Sequence, residues 1–150
     1  MQLLTLFALL CSMGPVLSAG ARRHPCSQPI LEATGMCNDG KAPTKRFGYN
    51  SNYKICEQFY TTRCRGRNGN NFPNLRACLE KCNSTSRCLK TPPTGTGRGS
   101  VTSFVFNVNT MKCISTKFPR ETTDPQINLF KNKQDCENEC KPILIQDLYG

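Results

Sequence analysis

Aromatic residues alternate with smaller residues at two places along this chain. These places are residues 47–50 (FGYN) and residues 104–107 (FVFN). Apolar positions with a period of two predict strands that bury one face. Polar turn residues follow each segment, and the next apolar positions predict return strands near Ile55–Thr61 and Lys112–Phe118. The pattern therefore predicts two β-hairpins.

The repeat continues beyond the hairpins. Each predicted hairpin is followed by an Asn-x-Phe segment, at residues 70–72 (NNF) and 128–130 (NLF). Each repeat then ends in Cys-x-x-x-Cys, at residues 78–82 and 136–140. Residues four apart lie on the same face of a helix, so each pair predicts a short helix. The chain is thus predicted to contain one small α+β module twice.

The N-terminus has a different hydrophobic pattern. Residues 2–10 (QLLTLFALL) form an apolar run without charge, and residues 16–19 (VLSA) are suited to cleavage by signal peptidase. The run is too short for a membrane anchor and polar sequence soon follows. Residues 1–18 are therefore predicted to be a secretory signal peptide, with cleavage no later than residue 20. We expect a secreted, extracellular protein.

The cysteine content fits an oxidising compartment. The chain has 11 cysteines, and Cys11 leaves with the leader, so an even number remains. Secretion with an even number of cysteines predicts disulfides rather than a metal site, and the single histidine, His24, precedes all the remaining cysteines. No metal and no cofactor are expected. The pairing stays open at this point, because six cysteines allow many connectivities.

Together these residues resemble the Kunitz family, whose type member is bovine pancreatic trypsin inhibitor. The first repeat is similar over residues 26–82, through residues 34–37 (TGMC), 46–50 (RFGYN), Phe59, the Asn-x-Phe segment and the final pair of cysteines. The second repeat is similar over residues 88–140. The resemblance implies a small disulfide-rich α+β fold of two tandem Kunitz modules, each a twisted β-hairpin followed by a C-terminal α-helix.

The resemblance also implies a domain plan. A Kunitz module with three disulfides spans residues 26–82, a linker spans 83–87, an atypical module with two disulfides spans 88–140, and a tail spans 141–150. The implied pairs are Cys26–Cys82, Cys37–Cys64, Cys56–Cys78, Cys88–Cys140 and Cys113–Cys136. In the second module Gly97 takes the place of the second cysteine, and Glu121 or a neighbour takes that of the fourth. The apolar tail segment 142–145 either packs back on the second module or contacts a partner.

Kunitz inhibitors present an extended loop whose residue after the second cysteine enters the specificity pocket of a protease. For trypsin-like proteases this residue is Lys or Arg, which pairs with a carboxylate in the pocket. In the first module the loop residues are Asn38 and Asp39, which lack that charge, so tight trypsin inhibition is not expected there. In the second module they are Arg98 and Gly99. Arg98 has the required charge, but without the anchoring cysteine its glycine-rich loop is predicted to be mobile and open to cleavage.

The chain has a net charge of +10 at pH 7. Residues 26–82 contain nine basic and four acidic residues, whereas residues 88–140 contain seven and five. If Cys37 pairs with Cys64, the basic residues of the first module form one face, a predicted basic exosite: Lys41, Lys45, Arg46, Arg63, Arg65 and Arg67. Such a face attracts an acidic protein surface, heparin-like glycans or an anionic membrane, and it is otherwise a solvated surface. Nucleic acid is not an expected partner outside the cell.

These observations lead to one functional hypothesis and two alternatives. We expect a secreted Kunitz-type serine protease inhibitor or binder with anticoagulant action on a coagulation protease or zymogen, similar in layout to tick salivary anticoagulants and to tissue factor pathway inhibitor. The alternatives are direct inhibition of a trypsin-like protease through Arg98, and ion-channel blockade as by some Kunitz toxins. An enzyme is not expected, because no catalytic arrangement can be built around His24. Asn83 begins a glycosylation sequon, Asn-Ser-Thr, and is predicted to carry a glycan.

Overall fold

The computed structural model describes residues 23–33, 35–65, 68–95, 97–121 and 124–145, so the predicted leader lies outside the described residues. The helices and strands, in chain order, are β1 Thr44–Asn50, β2 Ile55–Thr61, α1 Leu75–Cys82, β3 Val101–Asn107, β4 Lys112–Phe118 and α2 Lys133–Cys140. Short 3-10 turns at Pro25–Ser27 and Arg87–Leu89 precede the two hairpins. A hairpin followed by a helix thus occurs twice, which confirms the predicted α+β fold with two tandem modules.

Both hairpins are antiparallel two-stranded sheets with the same register. Thr44 lies opposite Thr61 in the first, and Val101 lies opposite Phe118 in the second. The return strands begin and end at the predicted residues. The prediction was accurate here because alternation along a strand is a local property that the sequence displays directly.

An asparagine begins the turn of each hairpin. The Asn50 side-chain oxygen accepts hydrogen bonds from the next turn amides at 3.1 and 3.4 Å, and the Asn107 oxygen does so at 3.0 and 3.1 Å. Each turn closes at a residue with left-handed backbone, Lys54 (φ 57°) and Met111 (φ 54°). Asparagine suits this place because its short side chain hydrogen-bonds the backbone two residues on.

A buried asparagine joins the first hairpin to the segments that pack on it. The Asn70 side-chain oxygen accepts a hydrogen bond from the N–H of Tyr49 at 2.7 Å, and its amide nitrogen donates to the carbonyls of Tyr49 at 2.9 Å and Gln28 at 2.7 Å. Asn128 has the same role in the second module. The Asn-x-Phe repeat was visible in the sequence, but its hydrogen bonds were not.

The helices begin at capping asparagines and are held by disulfides. The Asn74 side chain accepts a hydrogen bond from the N–H of Ala77 at 2.8 Å, and Asn132 accepts one from the N–H of Asp135 at 2.8 Å, as N-caps do. The structure contains the bridges Cys26–Cys82, Cys37–Cys64, Cys56–Cys78, Cys88–Cys140 and Cys113–Cys136. Within the described ranges, no helix has the length and apolar character needed to cross a membrane.

The core of the first module contains an aromatic ring that the second module lacks. Phe59 is fully buried, and a Cβ added to Gly48 would lie 3.1 Å from its ring and 2.6 Å from the side chain of Ile30. The glycine therefore makes room for the ring. In the second module the corresponding residue is Thr116, which is only half-buried. The second module instead buries Phe106, about 1% exposed, at the position where the first module has half-buried Tyr49.

The apolar tail segment packs on the first module, which neither sequence alternative anticipated. The N–H of Gln58 on β2 donates to the carbonyl of Ile143 at 2.8 Å. Leu144 forms a parallel β-bridge with Gln58. Ile145 is buried. An unpaired strand edge accepts another extended segment in this way. The tail that follows the second module thus adds an extended segment to the sheet of the first.

Candidate functional site

A hydrogen-bonded turn closes the loop after Cys37. The N–H of Gly40 donates to the carbonyl of Cys37 at 2.9 Å, and Gly40 has φ 72°, a conformation that favours glycine. Asn38 and Asp39 occupy the central positions of this turn and are exposed. The extended backbone implied by the Kunitz resemblance is therefore absent at the residue that would enter a protease pocket.

The Asp39 side chain reinforces the same turn. Its Oδ1 accepts a hydrogen bond from the N–H of Lys41 at 3.1 Å, and its Oδ2 lies 3.2 Å from Lys41 Nζ. Both side chains are largely exposed, so the ion pair itself contributes little to stability. The hydrogen bond from the N–H of Lys41 contributes more to the conformation of the turn, because it fixes the orientation of Asp39, the residue after Asn38.

Firm contacts lie on either side of this turn. Cys37 is buried in its bridge to Cys64, and the N–H of Cys64 also donates to Cys37 Sγ at 3.2 Å. Upstream, the N–H of Ala33 donates to the carbonyl of Tyr60 on β2 at 2.9 Å. Met36 projects between these anchors with 72% of its surface exposed. Met36 is not among the residues predicted to act, because only the fold shows that this apolar residue is uncovered.

The second candidate loop lacks the bridge but presents its arginine to solvent. Gly97, at the vacant cysteine position, has φ 68°, and Arg98 beside it is exposed. Glu121, the predicted counterpart of the fourth cysteine, pairs instead with Lys131, with 3.1 Å between the carboxylate and the ammonium nitrogen. A Cβ added to Gly97 would meet no heavy atom of the described residues within 4 Å.

Two glycines of this loop pack tightly against β4. A Cβ added to Gly99 would overlap the backbone carbonyl of Phe118, and one added to Gly95 would overlap the hydroxyl of Thr116. Only glycine permits such a close approach between segments. The backbone on both sides of Arg98 is therefore in contact with the hairpin, a constraint that the glycine-rich sequence did not suggest.

Two residues of the predicted basic exosite are engaged in contacts within the first module. Lys45 Nζ lies 5.5 Å from the centre of the Tyr60 ring, a cation–π distance. Arg46 donates from Nε to the side-chain oxygen of Asn71 at 2.6 Å. These contacts orient both cations along β1 and leave their charge at the surface.

The exosite arginines near the fourth cysteine are more exposed. Arg63 and Arg65 flank Cys64, whose bridge brings them beside the first loop, while Arg67 lies outside the described residues. Neither Thr62 nor Arg63 has a positive φ, since Lys54 and Met111 are the non-glycine residues that do among those described. The backbone at Thr62 and Arg63, just before Cys64, therefore accommodates residues other than glycine without strain.

The predicted glycosylation site lies at the end of α1. Asn83 follows the helix, and its side-chain nitrogen donates to the carbonyl of Lys54 at 3.3 Å. The Thr85 hydroxyl is 3.5 Å from the Asn83 side-chain oxygen. The nitrogen that would carry a glycan is therefore hydrogen-bonded in the folded chain, on a residue that is half-buried.

One carboxyl group has a clearly perturbed pKa, and it lies away from both loops. Burial on β2 raises the pKa of Glu57, and the nearby charge of Glu32 raises it further. The Asn50 amide opposes this shift by donating to both carboxylate oxygens, at 3.1 and 3.2 Å. The burial effect is the largest, so ionisation of Glu57 is disfavoured in the folded protein.

The histidine has a structural role. His24 Nδ1 accepts a hydrogen bond from the N–H of Cys26 at 3.4 Å and so caps the first 3-10 turn. In the described part of the chain, no three His, Cys, Asp or Glu side chains come together as a metal site.

Known proteins resemble the chain in sequence. It is 40% identical over 121 residues to haemaphysalin of Haemaphysalis longicornis, covering 78% of this chain and 72% of that protein. It is 27% identical over 170 aligned residues to the anticoagulant protein rhipilin-2 of Rhipicephalus haemaphysaloides, covering 99% of this chain and 82% of that protein. A solved structure of ixolaris, described with its factor X interaction and a noncanonical mechanism of Kunitz inhibition, aligns at 24% identity and a TM-score of 0.31, covering 72% of this chain and 89% of the other.

The match to a known domain family covers both repeats. The Kunitz/bovine pancreatic trypsin inhibitor domain matches residues 25–83 and again residues 87–141. The second match begins at Arg87, whose guanidinium donates to the Glu139 carboxylate on α2 and stacks on the Phe130 ring. The chain therefore belongs to the Kunitz/bovine pancreatic trypsin inhibitor family, whose members are protease inhibitors rather than enzymes.

Proposed function

We propose that this chain is a secreted anticoagulant that binds a coagulation serine protease or its zymogen by surface contacts rather than by inserting Asn38 into the active site. The observation that carries the proposal is the turn from Cys37 to Gly40. A substrate-like loop would have to break the hydrogen bond that closes the turn and would then offer an uncharged amide to the pocket.

The relatives support the choice of a coagulation target. The relative aligned over nearly the whole of this chain is named an anticoagulant protein. The basic residues beside the first loop add a physical reason, because a positive face speeds association with an acidic exosite and favours it at low salt. A zymogen is an equally suitable target, since binding at an exosite does not require a formed active site.

Binding to an active-site-blocked protease tests this proposal directly. The full chain is immobilised, and a panel of coagulation proteases is passed over it in free form, in covalently blocked form and as zymogens, at low and at physiological salt. We expect at least one member to bind equally well in free and blocked forms, with affinity falling as salt rises. Absence of binding across the panel at low salt would refute the proposal.

Two variants separate the loop from the basic residues. Asn38→Ala removes the residue at the specificity position and should leave the affinity within about twofold, because that side chain is not inserted. Lys45→Ala/Arg63→Ala/Arg65→Ala should weaken binding about threefold or more, since exposed ion pairs contribute roughly 0.2–1 kcal/mol each. The opposite pattern, or loss of binding on blocking the active site, would favour a substrate-like mode.

Packing of the second loop favours a second candidate, direct inhibition through Arg98. The contacts of Gly95 and Gly99 with β4 hold the backbone on both sides of an exposed arginine. A loop held in this way loses less conformational freedom on docking than a free one. In this mode Arg98 would enter the pocket of a trypsin-like protease.

Charge-conserving and charge-removing variants test this candidate. Arg98→Lys should retain inhibition of trypsin in a chromogenic assay, and Arg98→Ala should abolish it. Mass spectrometry after incubation distinguishes an inhibitor from a substrate, because a substrate is cut between Arg98 and Gly99. Unchanged inhibition by the alanine variant would exclude the second loop.

A further inference from the structure

A groove of about 500 Å³ lies between the two modules, on a side that neither candidate loop contributes to. Lysines from four parts of the chain line it: Lys45 on β1, Lys112 on β4, Lys133 on α2, and Lys141 in the tail. All four are exposed. Three of them lie outside the basic exosite predicted from the sequence: Lys112 on the second hairpin, and Lys133 and Lys141 at the two ends of α2.

The docked tail builds this groove. The Gln58 N–H bonds to the carbonyl of Ile143, which brings the segment after α2 onto β2 of the first module. Lys141 and Pro142 precede that contact and line the groove. A second contact joins the modules here, because the Gln58 side-chain nitrogen lies 3.4 Å from Met111 Sδ.

The charge balance in the groove is strongly positive. Among the described residues that line it, Glu137 is the one acidic residue against four lysines. Glu137 lies 3.6 Å from Lys133 Nζ and 3.9 Å from Lys141 Nζ, so one carboxylate is shared by two ammonium groups. Lys45 and Lys112 have no carboxylate opposite them among these lining residues. An anion entering the groove would therefore meet unneutralised charge.

A neutral donor points into the same space. Gln58 is half-buried, and its amide nitrogen contacts the thioether of Met111, which is a weak acceptor. That amide can gain energy by exchanging the sulfur for an anionic oxygen. The groove thus offers four ammonium groups and an amide donor beside apolar Met111 and Pro142.

We propose that this groove binds a linear sulfated glycan of the glycosaminoglycan class. Such a chain carries closely spaced sulfates and carboxylates and is narrow enough to enter a concave site between two modules. A bilayer surface is flat and would contact the rims rather than the interior. Lysine ammonium groups suit repeated sulfates, because they act as mobile point charges without the planar geometry that arginine imposes.

Titration with a heparin octasaccharide tests the proposal on the full chain. Lys112→Ala/Lys133→Ala/Lys141→Ala should weaken binding roughly tenfold to a hundredfold at low salt, by analogy with lysines near other anionic surfaces. The matched control Lys81→Ala/Lys90→Ala/Lys117→Ala removes the same charge elsewhere and should change the affinity by about twofold at most. Circular dichroism of both variants verifies that each is folded.

Removing the acidic residue should act in the opposite direction. Glu137→Gln frees two ammonium groups and should strengthen octasaccharide binding about twofold to fivefold. Equal losses for the two lysine triplets would show that net charge alone attracts the glycan and would overturn the proposal. So would loss of binding in Arg63→Ala/Arg65→Ala with the groove intact, or a preference of the groove lysines for phosphatidylserine vesicles over the octasaccharide.

Discussion

Replacing Asn128 with alanine tests whether the second module depends on one buried side chain. The Asn128 oxygen accepts a hydrogen bond from the N–H of Phe106 at 2.8 Å. Its nitrogen donates to the carbonyls of Phe106 at 2.8 Å and Lys90 at 3.0 Å. Asn128 and Phe106 are each about 1% exposed, so water cannot replace the two bonds between them in the folded state.

The expected loss follows from those three bonds. A buried N–H left without an acceptor costs about 1–3 kcal/mol, and each carbonyl that loses its donor adds about 0.5–1 kcal/mol. We therefore expect Asn128→Ala to lower the free energy of unfolding of the second module by about 2–5 kcal/mol. This is a large fraction of the stability of a small domain. The effect should be severe here because Asn128 holds the backbone of Phe106, whose ring belongs to the core.

Native-state hydrogen exchange with NMR detection measures this loss of unfolding free energy at the affected amide. In the variant, the amide proton of Phe106 should exchange much faster, whereas that of Tyr49 in the first module should keep its protection. Chemical denaturation monitored by the same amides supplies the free energy for each module. The control is Asn138→Ala on α2, where the Asn138 oxygen accepts only an exposed hydrogen bond from Gln134.

Two results would refute this reasoning. One is an unfolding free energy within about 1 kcal/mol of that of the unmodified chain, which would mean that the module repairs the lost bonds by local rearrangement. The other is equal loss of protection in both modules, which would mean that the two unfold together. Asn138→Ala should leave both quantities unchanged.

Three further changes probe other parts of the structure. Burial raises the pKa of Glu57, so its folded-state pKa lies above the unfolded-state pKa, and the free energy of unfolding declines as pH rises through the folded-state value. Glu57→Gln should remove that decline, which is measured by comparing chemical denaturation at pH 4 and at pH 7. Gly99→Ala places a methyl group against the Phe118 carbonyl, so exchange of the neighbouring amides should accelerate and any inhibition through the second loop should fall; unchanged exchange would contradict the packing argument. Arg87→Ala removes a guanidinium that pairs with Glu139 and should cost about 1 kcal/mol by denaturation, whereas Arg87→Lys should recover part of that loss.

Local patterns were sufficient to predict the strands, the helices and the twofold repeat. Alternating aromatics located both hairpins, since a strand exposes its period of two in any short window. The pairs of cysteines four apart located both helices for a similar reason. Each of these elements is specified by residues within a few positions of one another.

The site residues depended on contacts that no local window contains. Gly95 and Gly99 belong to a glycine-rich segment whose composition predicts mobility, yet both pack against β4. The turn after Cys37 is the exception, because its hydrogen bonds are local: the N–H of Gly40 donates to the carbonyl of Cys37, and the N–H of Lys41 donates to Asp39 Oδ1. The Asn-x-Phe repeat likewise indicated that an asparagine mattered without showing what it bonds.

Spacing, periodicity and repeat are properties of the chain itself, so they were enough to predict a tandem pair of disulfide-rich modules. The tertiary structure alone decided how the modules meet. The tail lies on β2 of the first module because that strand has an unpaired edge, and backbone hydrogen bonding at an edge accepts segments with little regard to side-chain identity. That contact assembles lysines from β1, from β4 and from the segment of α2 and the tail into one groove, an arrangement that depends on distance in space rather than in sequence.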